Sequence, residues 1–195
     1  MLRVVDRIIH KINHKFEFID LGGGMGISYK YEDKKLNYSK YSEIIKKFLK
    51  KHKSKIIFEP GRSIIGDTGI LISKIIYIKK NESKNFIILD AAMNDLMRPA
   101  LYGAHHKILP STKSKKKSNK TYEFVGPIWE STDKFNTLKN FQELEEKDLI
   151  VICDVGAYGM SLSSNYNVRL KPSEILIKGS KIKIIRKKQK YKDLM

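Results

Sequence analysis

The sequence predicts an α/β layer followed by a mainly β half, with the change falling near residues 62–68. Three observations predict it. Up to residue 62 the apolar pattern runs helix, strand, helix, strand, which is the grammar of an α/β layer. Both strand-like runs of that part end abruptly, one in Gly22-Gly23-Gly24 and the other in Glu59-Pro60-Gly61-Arg62. Beyond Arg62, short apolar runs alternate with turn residues and no long amphipathic pattern intervenes.

Leu2, Val5, Ile8, Ile9 and Ile12 recur at three-and-four spacing, so residues 1–15 are predicted helical. Residues 16–21 form a short apolar run entering the glycines, hence a strand. Tyr41, Ile44, Ile45 and Phe48 share one helical face over residues 39–51, with Ser39 as the expected cap. Residues 56–58 make a second strand. In the later half the strand-like runs are 64–78, 86–90, 122–125, 149–154, 174–178 and 181–187. Two strands and two helices cannot complete an open sheet or close a barrel. The first part is therefore expected to be a fragment of a larger layer, or to need another polypeptide. An unpaired strand edge there is an aggregation hazard.

Composition narrows the function classes. At 41% hydrophobic the chain can bury a core. No apolar run approaches the roughly 20 residues of a membrane span. The first 14 residues lack the apolar centre of a secretory signal, so a cytoplasmic location is expected. Cys153 is the one cysteine, which excludes an internal disulfide and a cysteine-built metal site. It lies in an apolar run and reads as an inert core thiol. The net charge of +18 invites a nucleic-acid reading, but 33 of the 39 basic residues are Lys and only 6 are Arg. Base and phosphate recognition favours the arginine fork. The Lys-rich run at 113–120 has no interleaved aromatics and reads as a solvated loop.

Five motifs carry candidate chemistry. Asp20-Leu21-Gly22-Gly23-Gly24-Met25-Gly26 follows a strand, so its backbone N–H groups suit a phosphate, or the glycines simply permit a tight turn. Glu59-Pro60-Gly61-Arg62 places a carboxylate and a guanidinium three residues apart, as a surface ion pair or as a site. The stretch from Asp90 to Gly103 packs small and polar residues after a strand, with Arg98 and Tyr102 four apart. His105 and His106 follow and read as exposed loop histidines, with no second pair to build a metal site. Gly126-Pro127-Ile128-Trp129-Glu130-Ser131-Thr132-Asp133 is the fourth, and Asp154-Val155-Gly156-Ala157-Tyr158-Gly159-Met160, continuing to Ser164-Asn165-Tyr166-Asn167, is the fifth. Taken singly, these last two most often mean a buried Trp and a packed Tyr.

In this order, over residues 18–176, the five motifs resemble the C-terminal half of the diaminopimelate decarboxylase family, within the alanine-racemase-like class of pyridoxal-phosphate enzymes. The run from Met93 to Tyr102 separates it from the ornithine and arginine decarboxylase relatives. The resemblance implies that residues 1–65 are the C-terminal end of a cofactor-binding (β/α)8 barrel, incomplete here. Residues 66–195 would then be a C-terminal β domain of barrel or sandwich type, without the family's N-terminal strand. It implies pyridoxal 5'-phosphate as cofactor, held by Gly22, Gly23 and Gly24 at the phosphate and by Glu59 at the ring nitrogen, with Pro60 and Gly61 shaping that corner. It implies Arg62, Arg98 and Tyr102 at substrate carboxylates, Glu130 at the distal amino group, and Tyr158 against cofactor and substrate. An amino-acid substrate, meso-diaminopimelate yielding lysine, and a homodimer are implied too. In the family the Gly-Pro-Ile loop reaches into the partner subunit's site.

Two departures accompany the resemblance. No segment matches the family's covalently cofactor-binding lysine. Trp129 stands where the family has its proton-donating cysteine, and an indole N–H is far too weak an acid for that work. Ala92 also replaces a usual glycine. The expectations are a fragment or split enzyme completed by a separate N-terminal half, or a non-catalytic remnant of that enzyme.

Overall fold

Leu2, Val5 and Ile9 fall on one side of α1 (Leu2–Ile12) in the computed structural model, where they pack against Ile19, Leu21, Ile45 and Phe48. The structure describes residues 1–30, 32–82, 84–113 and 116–195, in two units, Met1–Ile65 and Gly66–Met195. In the first unit α1 ends at Asn13, whose left-handed backbone (φ 52°) returns its N–H to the Ile9 carbonyl at 3.0 Å. Strand β1 (Phe18–Asp20) pairs in parallel with β2 (Lys55–Ile57), Ile19 opposite Ile56. Helix α2 (Tyr38–His52) connects them.

The cap of α2 is Asn37 and not Ser39. Asn37 is extended (φ −81°, ψ 95°) and its side-chain oxygen accepts the Lys40 N–H at 2.9 Å. A cap must lie outside the helical turn with its oxygen in reach of the third helical N–H. Ser39 is already inside.

The long strand expected over 64–78 divides. Gly61 turns the chain so that its carbonyl accepts the Ile64 N–H at 3.0 Å, and α3 (Arg62–Ile65) forms, followed by a 3-10 turn over Gly66–Thr68. A short apolar run cannot by itself distinguish one helical turn from a strand. Strand β3 (Leu71–Lys80) begins only after Gly69, where the backbone of Gly156 approaches so closely that a β-carbon would stand 2.7 Å from it.

The second unit is built on a six-stranded sheet in the order β5–β8–β3–β4–β6–β7, with β4 (Lys84–Leu89), β5 (Ile108–Pro110), β6 (Thr121–Val125), β7 (Lys134–Leu138) and β8 (Leu149–Ile152). Only β4 and β6 run parallel; the other neighbours are antiparallel. Ile87 and Leu89 of β4 point inward with Ile75, Phe124, Ile150 and Ile152, and all are fully buried. Phe124 and Phe141 meet edge to face at 5.4 Å. Strands β5 and β7 have no counterpart among the runs expected from the sequence. They are the two outer strands, and β7 supplies one buried apolar residue, Phe135.

A hairpin, β9 (Glu174–Lys178) and β10 (Lys181–Arg186), turns at Gly179 (φ 59°). Ile175, Leu176, Ile177, Ile182, Ile184 and Ile185 are exposed on it. Within the Lys-rich run, Ser114 and Lys115 lie outside the described residues. The rest is exposed at its lysines, but its backbone is held. Ser118 donates to the Phe141 carbonyl at 2.8 Å, and Lys117 bridges Gln142. Among the described residues no helix is long and apolar enough to cross a membrane.

Candidate active site

In the first unit, the glycine run and Glu59 adjoin because β1 and β2 are parallel neighbours ending side by side. The Leu21 N–H donates to the Ile57 carbonyl at 3.0 Å, and the Glu59 N–H donates to the Gly22 carbonyl at 2.9 Å. Gly23 packs so close to Glu59 that a β-carbon would lie 2.3 Å from its carbonyl oxygen. Gly22 (φ 65°) and Gly24 (φ 85°) hold left-handed conformations that favour glycine. A β-carbon on either would meet nothing within 4 Å. The Gly22 N–H is committed to the Asp20 carboxylate at 2.7 Å, whereas those of Gly23 and Gly24 have no hydrogen-bond partner among the described residues. Glu59 is exposed and Arg62 half-buried at the start of α3, and no ion pair joins them among the described residues.

In the second unit, the stretch after β4 is not a plain loop. Asp90 leaves the strand with its carboxylate accepting from Ser73 Oγ at 2.6 Å and from the Lys74 N–H at 2.8 Å. A short helix, α4 (Arg98–Tyr102), then carries Arg98 buried and Tyr102 exposed. His106 corrects an expectation, for it is fully buried and not an exposed loop residue. Its Nε2 lies 3.1 Å from Arg98 Nη1 and its Nδ1 lies 2.9 Å from the Cys153 carbonyl. Cys153 itself is only partly covered, just beyond β8, and burial pushes its thiol up, with Asp154 adding to the rise.

The Gly126–Asp133 loop is organised by one carboxylate. Asp133, buried, accepts the Met93 N–H at 2.7 Å on one oxygen and the Ile128 N–H at 2.9 Å on the other. Its burial raises its pKa. The loop thus buries Ile128 and projects Trp129 fully into solvent, which overturns the expectation of a buried tryptophan. Glu130 beside it accepts from the Tyr166 hydroxyl at 2.5 Å, and that bond raises the phenol's pKa. Tyr166 is placed by a further clamp. Arg169 Nε donates to the Asn94 side chain at 3.0 Å, and the Ser164 N–H donates to the Asn94 carbonyl at 2.9 Å. Tyr158 is half-exposed, not packed, and holds a left-handed backbone (φ 62°). Replacing Asp133 by Ala leaves two N–H groups without their acceptor. It is expected to cost about 2–4 kcal/mol, read as a lower urea midpoint of the second unit's unfolding with unchanged slope.

Sequence reasoning gave no functional role to His106, Asp133, Tyr166 or Arg169. Asp133 and Tyr166 lay within quoted motifs and His106 directly after one, whereas nothing in the sequence marked Arg169. Among the described residues no group of three His, Cys, Asp or Glu side chains is placed to hold a metal ion.

Residues 4–156 match the family model for the pyridoxal-dependent decarboxylase C-terminal sheet domain. The chain is 42% identical over 176 residues to a diaminopimelate decarboxylase of Aquifex aeolicus, covering 90% of this chain and 41% of that protein. It is 43% identical over 177 residues to one of Helicobacter pylori, covering 91% and 44%. A crystal structure of diaminopimelate decarboxylase from Helicobacter pylori complexed with L-lysine superposes with a TM-score of 0.84 at 40% identity, covering 99% of this chain and 48% of that one. A structure from Aquifex aeolicus gives 0.87 at 39% identity, covering 99% and 47%. The incomplete α/β layer followed by a sheet domain is thus the fold of these relatives' latter parts. The chain spans less than half the length of each.

Proposed function

The chain belongs to the pyridoxal-dependent decarboxylase family, and on that premise we propose that it is the C-terminal part of a diaminopimelate decarboxylase, which converts meso-2,6-diaminopimelate to L-lysine and CO2. One observation carries the reading within this structure. The glycine run and Glu59 are joined backbone to backbone at the C-terminal ends of adjacent parallel strands, where α/β layers bind their ligands.

The residues present fit pyridoxal 5'-phosphate. Gly23 and Gly24 offer two N–H groups without partners among the described residues, beside open space at Gly24. They would hold the phosphate. Gly22 contributes conformation, since its own N–H goes to Asp20. Glu59 would hold the proton on the ring nitrogen, with Pro60 and Gly61 fixing its turn. When bound, the group supplies the electron sink for the pair left as CO2 departs. Arg62, Arg98 and Tyr102 would grip carboxylates, Arg by its two-pronged fork. Glu130, steadied by Tyr166, would take the distal ammonium, and Tyr158 would touch cofactor and substrate.

No segment of the chain matches the lysine that binds the cofactor covalently, so on this reading another polypeptide segment supplies it. A homodimer and a cytoplasmic location belong to the same reading. A second reading, a non-catalytic remnant, is favoured by Trp129 at the proton-donor position.

The test is to express the chain with the N-terminal portion of the Aquifex aeolicus relative, add pyridoxal phosphate and meso-diaminopimelate, and measure CO2 and L-lysine. Product is expected only from the pair. A folded, cofactor-loaded pair that yields neither decides for the remnant.

A further inference from the structure

We propose that His106 is a positioning residue for Arg98, an uncharged hydrogen-bond acceptor that fixes the plane in which the guanidinium meets a substrate carboxylate. The proposal rests on the carboxylate-binding reading of Arg98 given above.

The hydrogen-bond chemistry determines the state of the ring. The Cys153 carbonyl, 2.9 Å from Nδ1, can only accept, so Nδ1 carries the hydrogen. Arg98 Nη1, 3.1 Å from Nε2, can only donate, so Nε2 is bare. Both bonds are satisfied at once only by the neutral Nδ1–H imidazole. The ring cannot easily turn from this position. His106 is fully buried, Arg98 nearly so, and Asn136 of β7 donates to the His106 carbonyl at 2.9 Å. A lysine, a leucine or a protonated histidine at this position cannot accept from the guanidinium.

Three charged or titratable groups act on the imidazole. Burial lowers its pKa, the Arg98 charge adds to that and His105 acts in the same direction, while the bond to the Cys153 carbonyl and the Asp154 charge oppose them. Asp154 carries a buried carboxylate oxygen, Oδ2, with no hydrogen-bond partner among the described residues. A histidine depressed in the folded state binds fewer protons than in the unfolded chain just below about pH 6.5. Its contribution to stability is therefore full above that value and falls as the pH drops through it, until the folded imidazole itself takes a proton. Protonation then sets a cationic N–H against the guanidinium and releases Arg98.

The experiment has two arms. Nitrogen-15 NMR of the full chain at neutral pH is expected to show His106 as the neutral Nδ1–H tautomer. In the chain completed with the Aquifex aeolicus N-terminal portion, His106→Leu is expected to raise KM for diaminopimelate roughly tenfold with kcat nearly unchanged, the size of one hydrogen bond to a charged group. His106→Gln, whose amide oxygen can accept from Arg98, should stay within about threefold of the parent. In an Arg98→Gln background His106→Leu should have no further effect. The other tautomer, a charged ring at neutral pH, or an equal effect of His106→Leu in the Arg98→Gln background overturns the proposal. An inactive parent pair with the expected tautomer instead overturns the decarboxylase reading, and the carboxylate role of Arg98 goes with it. If His106→Leu fails to fold, the tautomer and the His106→Gln KM decide.

Discussion

Trp129→Cys in the completed enzyme is expected to raise turnover by about 10²-fold, the lower end of what a positioned general acid contributes. Trp129 is held at the tip of a fixed loop with its side chain entirely in solvent. Asp133 pins that loop through the N–H groups of Ile128 and Met93, so the exchange alters no buried contact. The indole N–H does not ionise in water, whereas an unperturbed thiol titrates near about 8.5. On the proposed reading, the new side chain would give a proton to the carbon that CO2 has left, and the old one could not. Single-turnover rates in heavy water, with the pH profile, check this. A new limb in the profile near the thiol's pKa should accompany the gain. Trp129→Ser separates donation from loss of bulk, since it removes the ring without adding an acid of useful strength. If cysteine and serine raise the rate equally, or neither does, the donor assignment of position 129 is wrong.

Much of this arrangement was legible in the chain, and the limits have physical causes. The α1 and α2 stripes are visible because helical periodicity and burial coincide at Leu2, Val5, Ile9, Ile45 and Phe48. Strands β4, β6 and β8 are visible because each carries two or more large apolar residues in a short run. Edge strands β5 and β7 pair on one side only and need fewer such residues, so their pattern fades. The motif residues stand out through glycine, proline and charge at strand ends. Their supporting partners do not, because the contacts that define them are distant in sequence. His106 meets the carbonyl of a residue 47 positions away, and Arg169 meets Asn94 across 75. His106 looked exposed because nothing nearby in the chain covers it; the cover comes from α4 and the end of β8. The exposed isoleucines of the β9–β10 hairpin carry a related lesson. Their apolar pattern predicted the strands correctly, yet an isolated two-stranded hairpin is marginal in water.

Glu59→Gln should lower turnover by about 10²–10³-fold, the cost of removing one preorganised electrostatic partner from a site of developing charge. The substitution is unusually clean here. Glu59 is anchored by its backbone N–H to the Gly22 carbonyl, and that bond does not depend on the side chain. The carboxylate is exposed and makes no ion pair with Arg62 among the described residues, so stability should hardly change. On the proposed reading, what changes is the charge of the partner offered to the pyridine nitrogen. A carboxylate accepts the ring proton and favours the charged ring, whereas an amide presents no charge to hold it there. Cofactor affinity should therefore fall by only a few-fold, because the Gly23 and Gly24 N–H groups proposed to hold the phosphate are untouched. The informative comparison is kcat against cofactor dissociation constant in the same preparation. A variant that binds cofactor normally and turns over within about threefold of the parent would remove Glu59 from the ring nitrogen. The corner built by β1 and β2 would then be a phosphate cradle alone.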